Sequence, residues 1–198
     1  MSQGLKMIRE NKNILKYISQ NLSEVFITNE FSKGEIILSQ NKNVNHISII
    51  QSGLVKCYRS EANGKDFIQE FFGSGEIFGE IEFFTHTVSF CSIEALQELQ
   101  IYQLTHKEFA NLLNNDPQFN QLIMGSLAQK ISYKAQRHAF QGAHATENSL
   151  IKIMNETPDL FNIISKQDMA NYLGITLRSL NRILLQLSGK EGVINEKG

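Results

Sequence analysis

Cysteine is scarce: Cys57 and Cys91 are the two in 198 residues. That is too few for a disulfide scaffold, and their spacing fits no zinc motif. Neither sign of charge is in excess, with 19 Lys and Arg against 20 Asp and Glu and a formal net charge of −1. Whole-molecule attraction to nucleic acid or acidic lipid is therefore excluded, and any such binding must come from a local patch. No apolar run approaches the roughly 18 residues needed to cross a bilayer. The first residues, MSQGLKMIRENKNILKY, lack the continuous apolar core of a signal peptide. Cytoplasmic residence is the expectation. Proline is as rare as cysteine: Pro117 and Pro158 bracket a long stretch with no helix breaker.

What is present is ordinary for a globular protein, with 41% hydrophobic and 20% charged residues. Residues 5–25 place Met7, Ile8, Ile14, Leu15, Ile18 and Leu22 near helical spacing. From 30 to 105 the texture changes to about eight short β-like runs broken by glycine, including Asn63-Gly64, a strong hairpin signal. Such a pattern predicts a barrel or jelly roll. Asp116-Pro117 then reads as a helix start, with Asp capping and Pro in the first position, and Gly142 is the first plausible stop. The apolar stripe of this long helix runs through Phe119, Leu122, Ile123, Leu127, Ile131 and Ala135, interrupted by Ser126 and Lys130. It fits either packing on the helix's own barrel or a two-fold seam, and the length of the helix favours the seam.

The most informative stretch is SKQDMANYLGITLRSLNRILLQL, residues 165–187. Ser165 can cap a helix beginning at Lys166, Gly174 permits a tight turn, and Thr176 can cap a second helix. Met169, Leu173, Ile175, Leu180 and Ile183 fall at inward positions, and small Ala170 sits where the two helices must cross. This is the pattern of a helix-turn-helix. The start of the second helix carries Thr176, Leu177, Arg178, Ser179, Asn181 and Arg182, which suits entry into a major groove. The opposing consideration is charge: residues 145–198 hold six basic and six acidic side chains. Because phosphate contacts dominate affinity, a neutral domain binds weakly unless dimerised. Lys130, Lys134 and Arg137 are candidates to extend the basic face.

The order of these parts resembles the Crp/Fnr (cyclic-AMP receptor protein / fumarate-nitrate reduction regulator) family. The likeness rests on KGEIIL (33–38), IIQSGLVKCY (49–58), ANGKDFIQEFFGSGEIFGEIEFF (62–84), LTHKEF (104–109) and the helix-turn-helix. The resemblance implies an α+β chain in three parts. A β-roll sensor of the cyclic-nucleotide-binding jelly-roll type covers 1–115, a long dimerisation helix 116–142, and a helix-turn-helix domain 143–198. It implies a homodimer on a near-palindromic stretch of double-stranded DNA, a small-molecule effector of unknown identity, and RNA polymerase as a candidate partner.

Cyclic-AMP-binding members use a Gly-Glu pair for the ribose and a later Arg-Ser-Ala segment for the phosphate. Gly79-Glu80 matches the first, while Ser89-Phe90-Cys91 falls at the second, so the arginine is missing and Phe90 would add bulk there. Losing a charge-assisted phosphate contact costs on the order of 2–5 kcal/mol. Cyclic AMP is therefore not the expected effector, although Gly79, Glu80, Ser89, Phe90 and Cys91 still outline a pocket. Lys56, Arg59 and Lys65 are the alternative cations, and no residue signal turns them inward. The N-terminal cysteine cluster of iron–sulfur members is absent, and the five histidines are scattered. Cys57 and Cys91 are expected as buried structural thiols, with a redox pair as the other reading. No cofactor is expected.

In the second helix Leu177, Arg178 and Arg182 stand where the family often has Arg-Glu and a later Arg, so the family's common half-site is not assumed; Ser165 and Lys166 complete the candidate DNA-binding residues. Residues 192–198, GVINEKG, supply one strand and a turn of the usual wing. A naturally short form and a truncated chain both predict a weaker grip on DNA. The competing reading is a ligand-binding or interaction protein of the same fold that has lost strong DNA binding. An enzyme of cupin type is not expected, because no His-x-His occurs and no catalytic triad or phosphate loop stands out.

Overall fold

The computed structural model describes residues 7–143, 146–157 and 160–195. Between 27 and 105 the chain forms eight strands: β2 (Ile27–Phe31), β3 (Ile36–Leu38), β4 (His46–Ser52), β5 (Val55–Ser60), β6 (Asp66–Phe72), β7 (Ile77–Phe78), β8 (Ser92–Ala95) and β9 (Leu99–Thr105). With β1 (Ile8–Arg9) they make two sheets, ordered β1-β6-β5-β8-β3 and β2-β9-β4-β7. All pairings are antiparallel except β1 with β6. The interior of the roll holds Ile50, Val55, Cys57, Phe72, Cys91, Ile93 and Ile101. Asn63-Gly64 turns β5 into β6 with Gly64 at φ +76°, the left-handed conformation that hairpin required.

Met7 and Ile8 do not belong to the first helix. Ile8 and Arg9 pair in parallel with Phe71 and Phe72, and helix α1 begins only at Lys12 (Lys12–Asn21), capped by Asn11. The pairing with β6 satisfies the backbone of 8–9 and buries Met7, which a short apolar pair cannot announce locally. Two helices flank the roll: α2 (Glu80–Thr85) and α3 (His106–Asn115), the latter opened by a full capping box between Thr105 and Glu108.

Helix α4 runs from Pro117 to Ala143, 27 residues or about 40 Å. Asp116 accepts from the Phe119 amide at 2.9 Å and opens it as expected. The apolar stripe divides. Phe119 and Ile123 are fully buried against Ile14, Ile18, Phe109 and Ile47 of the same chain, with Leu122 and Leu127 packed beside them. These four hold α4 to its own roll, so Phe119 and Ile123 are not free to form a seam. Ile131, 71% exposed, and Met124, 59% exposed, face outward with Ala128 and Ala135.

The C-terminal part comprises α5 (Thr146–Glu156), α6 (Leu160–Ile163), α7 (Lys166–Leu173) and α8 (Leu177–Asn195). Residues 192–195 continue α8 and are not a wing strand. With no proline after Pro158 nothing stops the helix, and an isolated strand would leave its backbone unpaired. Residues 196–198 of the expected wing lie outside the described residues. No helix among the described residues is long and apolar enough to cross a membrane.

Candidate nucleic-acid interface and effector pocket

The helix-turn-helix is built as its sequence demands. The Ser165 hydroxyl accepts from the Asp168 amide at 3.0 Å, and Thr176 accepts from Ser179 at 3.1 Å. Gly174 ends α7 at φ +69°. Met169, Ala170 and Leu180 are wholly buried, and Ile183 nearly so, while Leu173 and Ile175 pack at the edge. That buried side fixes the other. Leu177, Arg178 and Arg182 are exposed, Asn181 is half-buried, and these line one shallow concavity of about 680 Å³ with Leu185 and Gln186. Ser165, Lys166 and Thr176 are also exposed, at the N-terminal ends of the two helices, and Ser179 is half-buried. The polar side of α8 over residues 177–186 is therefore open to solvent.

The inner face of α7 packs on the outside of the roll. Tyr58, Ile68 and Phe71 of β5 and β6 share one core with Met169, Ala170 and Tyr172. Lys56 bridges Glu94 of β8 and Asp168 of α7, each at 3.1 Å. Burial lowers the Lys56 ammonium's pKa, but Asp168 and Glu94 outweigh it and leave it above its ordinary value. Arg137 of α4 is buried and donates to the carbonyls of Ile68 (3.3 Å) and Tyr172 (3.0 Å), its guanidinium 4.0 Å from the Tyr172 ring centre.

Arg137 is thus no part of an exposed basic face, and neither is Lys130. Lys130 is buried, donating to Ile77 O and pairing with Glu80. Lys134, half-exposed, pairs with buried Glu70 at 3.3 Å. At positions 130, 134 and 137 the three cations occupy one side of α4, the side turned to acids and carbonyls of the roll.

At the pocket, Gly79 adopts φ +94° and opens α2; a Cβ there would stand 2.6 Å from His46 O, so the position requires glycine. Glu80 is 1% exposed and already paired with Lys130, and its second oxygen, Oε2, is buried with no partner. Ser89 is buried and spends its hydroxyl on Cys91 O at 2.6 Å. Phe90 does not fill an anion position: it is 57% exposed, with the Arg59 guanidinium 4.4 Å from its ring centre. The backbone of the loop is held by Ser89 pairing with Asn41 and Lys42, which turns the next side chain out. Lys56 is committed to α7, and Lys65 lies exposed in the hairpin.

Cys91 sits one residue before β8. Both cysteines are free and buried in the interior of the roll, where the Cys91 thiol and burial push the Cys57 pKa well above its ordinary value. Sequence reasoning missed Arg9, which is buried between Glu70 (2.9 Å) and Glu76 (2.8 Å). Its only local signal was a charged residue directly after the apolar pair Met7-Ile8. Among the described residues no group of three or more His, Cys, Asp or Glu is placed to hold a metal ion.

An antiparallel roll with a helix at its Gly-Glu turn is joined by one long helix to a helix-turn-helix. Residues 28–116 match the family model of the cyclic nucleotide-binding domain. An anaerobic regulatory protein of Haemophilus influenzae is 20% identical over 177 residues, covering 84% of this chain and 68% of that protein. Among solved structures, FixK2 of Bradyrhizobium japonicum aligns with a TM-score of 0.72 at 19% identity, over 84% of this chain and 86% of that one. The c-di-GMP-responsive global regulator CLP of Xanthomonas campestris reaches 0.76 at 13% identity, over 89% and 93%. In fold the chain is similar to these Crp/Fnr-type regulators.

Proposed function

We propose that this protein is a homodimeric, DNA-binding transcription regulator that reads a near-palindromic site with α8 of each subunit and does not use cyclic AMP. The observation that carries the reading is the open face of α8. Leu177, Arg178 and Arg182 are exposed beside Asn181, while Leu180 and Ile183 on the opposite side are committed to the core. Two arginines and an amide on the first turns of an exposed second helix are the donors that base edges accept from in the major groove.

The outward stripe of Met124, Ala128, Ile131 and Ala135 recurs at alternating spacings of four, three and four residues, the repeat of a coiled-coil seam. Dimerisation through it doubles the phosphate contacts that a charge-neutral domain needs. In this reading 1–115 senses, 116–142 dimerises and 143–198 binds DNA, with RNA polymerase a candidate partner. Cyclic AMP is disfavoured on two counts: the phosphate cation is absent, and Glu80 is already paired. The effector is a different small molecule, and no catalytic role is assigned.

A gel-shift against the chain's own upstream region, at low and moderate salt, tests the reading. A salt-sensitive shift supports it, and no shift on any natural promoter overturns it. A saturable rise of several degrees in melting temperature with cyclic AMP would overturn the effector part alone. The competing reading, a ligand-binding protein that has lost strong DNA binding, draws on the Lys56–Asp168 pair that docks α7 on the roll. It predicts that no shift appears even for a variant with that pair removed.

A further inference from the structure

We infer that a cleft outside the roll, between the start of α1 and the flank of α4, is a binding site for a small uncharged polyhydroxy molecule, of the sugar or polyol class. The cleft holds about 350 Å³. Asn11 and Asn13 line it from α1, and Gln118, Gln121, Ser126 and Gln129 from α4. None of Gly79, Glu80, Ser89, Phe90 and Cys91 lines it. It also lies beside the outward stripe of Met124, Ala128, Ile131 and Ala135: residues 118, 122, 125 and 129 form the neighbouring stripe.

Three features mark it as built to hold something. Ser126 is 2% exposed, lines the cleft, and its hydroxyl has no hydrogen-bond partner. A buried hydroxyl left unmet costs about 1–3 kcal/mol, so a group that satisfies it is favoured. The N-terminus of α1 opens at the same place, where Asn11 caps the Ile14 amide, helix geometry leaves the amides of Lys12 and Asn13 without intrahelical partners, and no acidic residue stands in the first turn. Finally, Gly125 has no atom within 4 Å of where a Cβ would stand, so space is left on the α4 side.

The lining selects the ligand by elimination. No charged side chain lines the cleft, so a full anion would lack a counter-charge. A cation would face the positive end of α1. An apolar ligand would strand five amides and a hydroxyl away from water. Carboxamides both donate and accept, as do the hydroxyls of a sugar, and they pair without leftover groups. The volume lies at the low end of the roughly 300–1,000 Å³ of ligand pockets, which points to one ring.

The test is calorimetric titration of the full-length protein with D-glucose, D-ribose and myo-inositol, and with sodium acetate and sodium phosphate as the charged arm. One neutral probe is expected to bind saturably at about one equivalent per chain, with both anions inert. Saturation separates binding from the general stabilisation by excluded polyols, which grows steadily with concentration. Gly125→Leu fills the cleft while improving helix propensity, and is expected to abolish binding. Gln129→Ala, at an exposed position, is expected to weaken it at least fivefold. The inference fails if no neutral probe saturates, if acetate or phosphate binds instead, or if both variants bind as the parent does.

Discussion

Lys130 of α4 and Glu80 at the start of α2 form a buried ion pair, with side chains 8% and 1% exposed. Breaking such a pair from one side leaves a charge in a dry interior, which costs about 3–5 kcal/mol. Lys130→Met is therefore expected to destabilise the roll by that amount in urea titration. Adding Glu80→Gln should restore most of the loss. A single variant as stable as the parent would show that the pair is not buried in solution.

Arg182 is exposed on α8 and makes no contact that holds the fold. Arg182→Ala should leave the melting temperature unchanged and weaken binding to the chain's own operator by about 1–3 kcal/mol if the side chain reads a base. Unaltered affinity removes it from the interface.

Ile131, 71% exposed, lies within the outward stripe of α4. Ile131→Glu should convert the proposed dimer to monomers in light scattering at micromolar concentration, because a charge would be forced into an apolar seam. A dimer that persists unchanged places the interface elsewhere.

Arg137 bonds the carbonyls of Ile68 in the roll and Tyr172 in α7, tying the two parts from behind. Arg137→Met should raise amide exchange in α7 by tenfold or more while exchange in the roll stays low. Equal protection in both would assign the docking to the shared apolar core alone.

His106 has a buried Nε2 without a partner and lies edge-on to Phe83 at 5.2 Å. Burial, with His46 and His86 nearby, holds its pKa below the usual 6.5. The folded state therefore takes up a proton less readily than the unfolded one. Its contribution to stability is complete above pH 6.5 and is lost as the pH falls through that lower value. The melting temperature should fall between pH 7 and 5.5, and fall less in His106→Gln.

The helix-turn-helix was legible in the sequence because its determinants are local: two capping hydroxyls, Gly174 and Ala170 all sit within one continuous stretch. The strands of the roll were legible for the same reason, through their glycine-bearing turns. Orientation was not. Phe119 and Ile123 face the roll while Ile131 lies on the outward stripe, a division that only the presence of the roll decides. Lys130 and Arg137 read as surface cations because their partners, Glu80 and the carbonyls of Ile68 and Tyr172, are distant in sequence. Phe90 read as a plug, whereas the loop pairing of Ser89 with Asn41 and Lys42 turns it outward. The residues gathered around Glu80 lie far apart along the chain, and those of the helix-turn-helix lie together.

Lys130 and Arg137 are seven residues apart, about 10 Å along a stiff rod, and they lie on the same flank of it. A roll of α4 about its long axis large enough to release Glu80 would therefore swing the guanidinium off Tyr172 in the same stroke. Whatever turns this shaft at the mouth of the roll also unclips the domain at its far end.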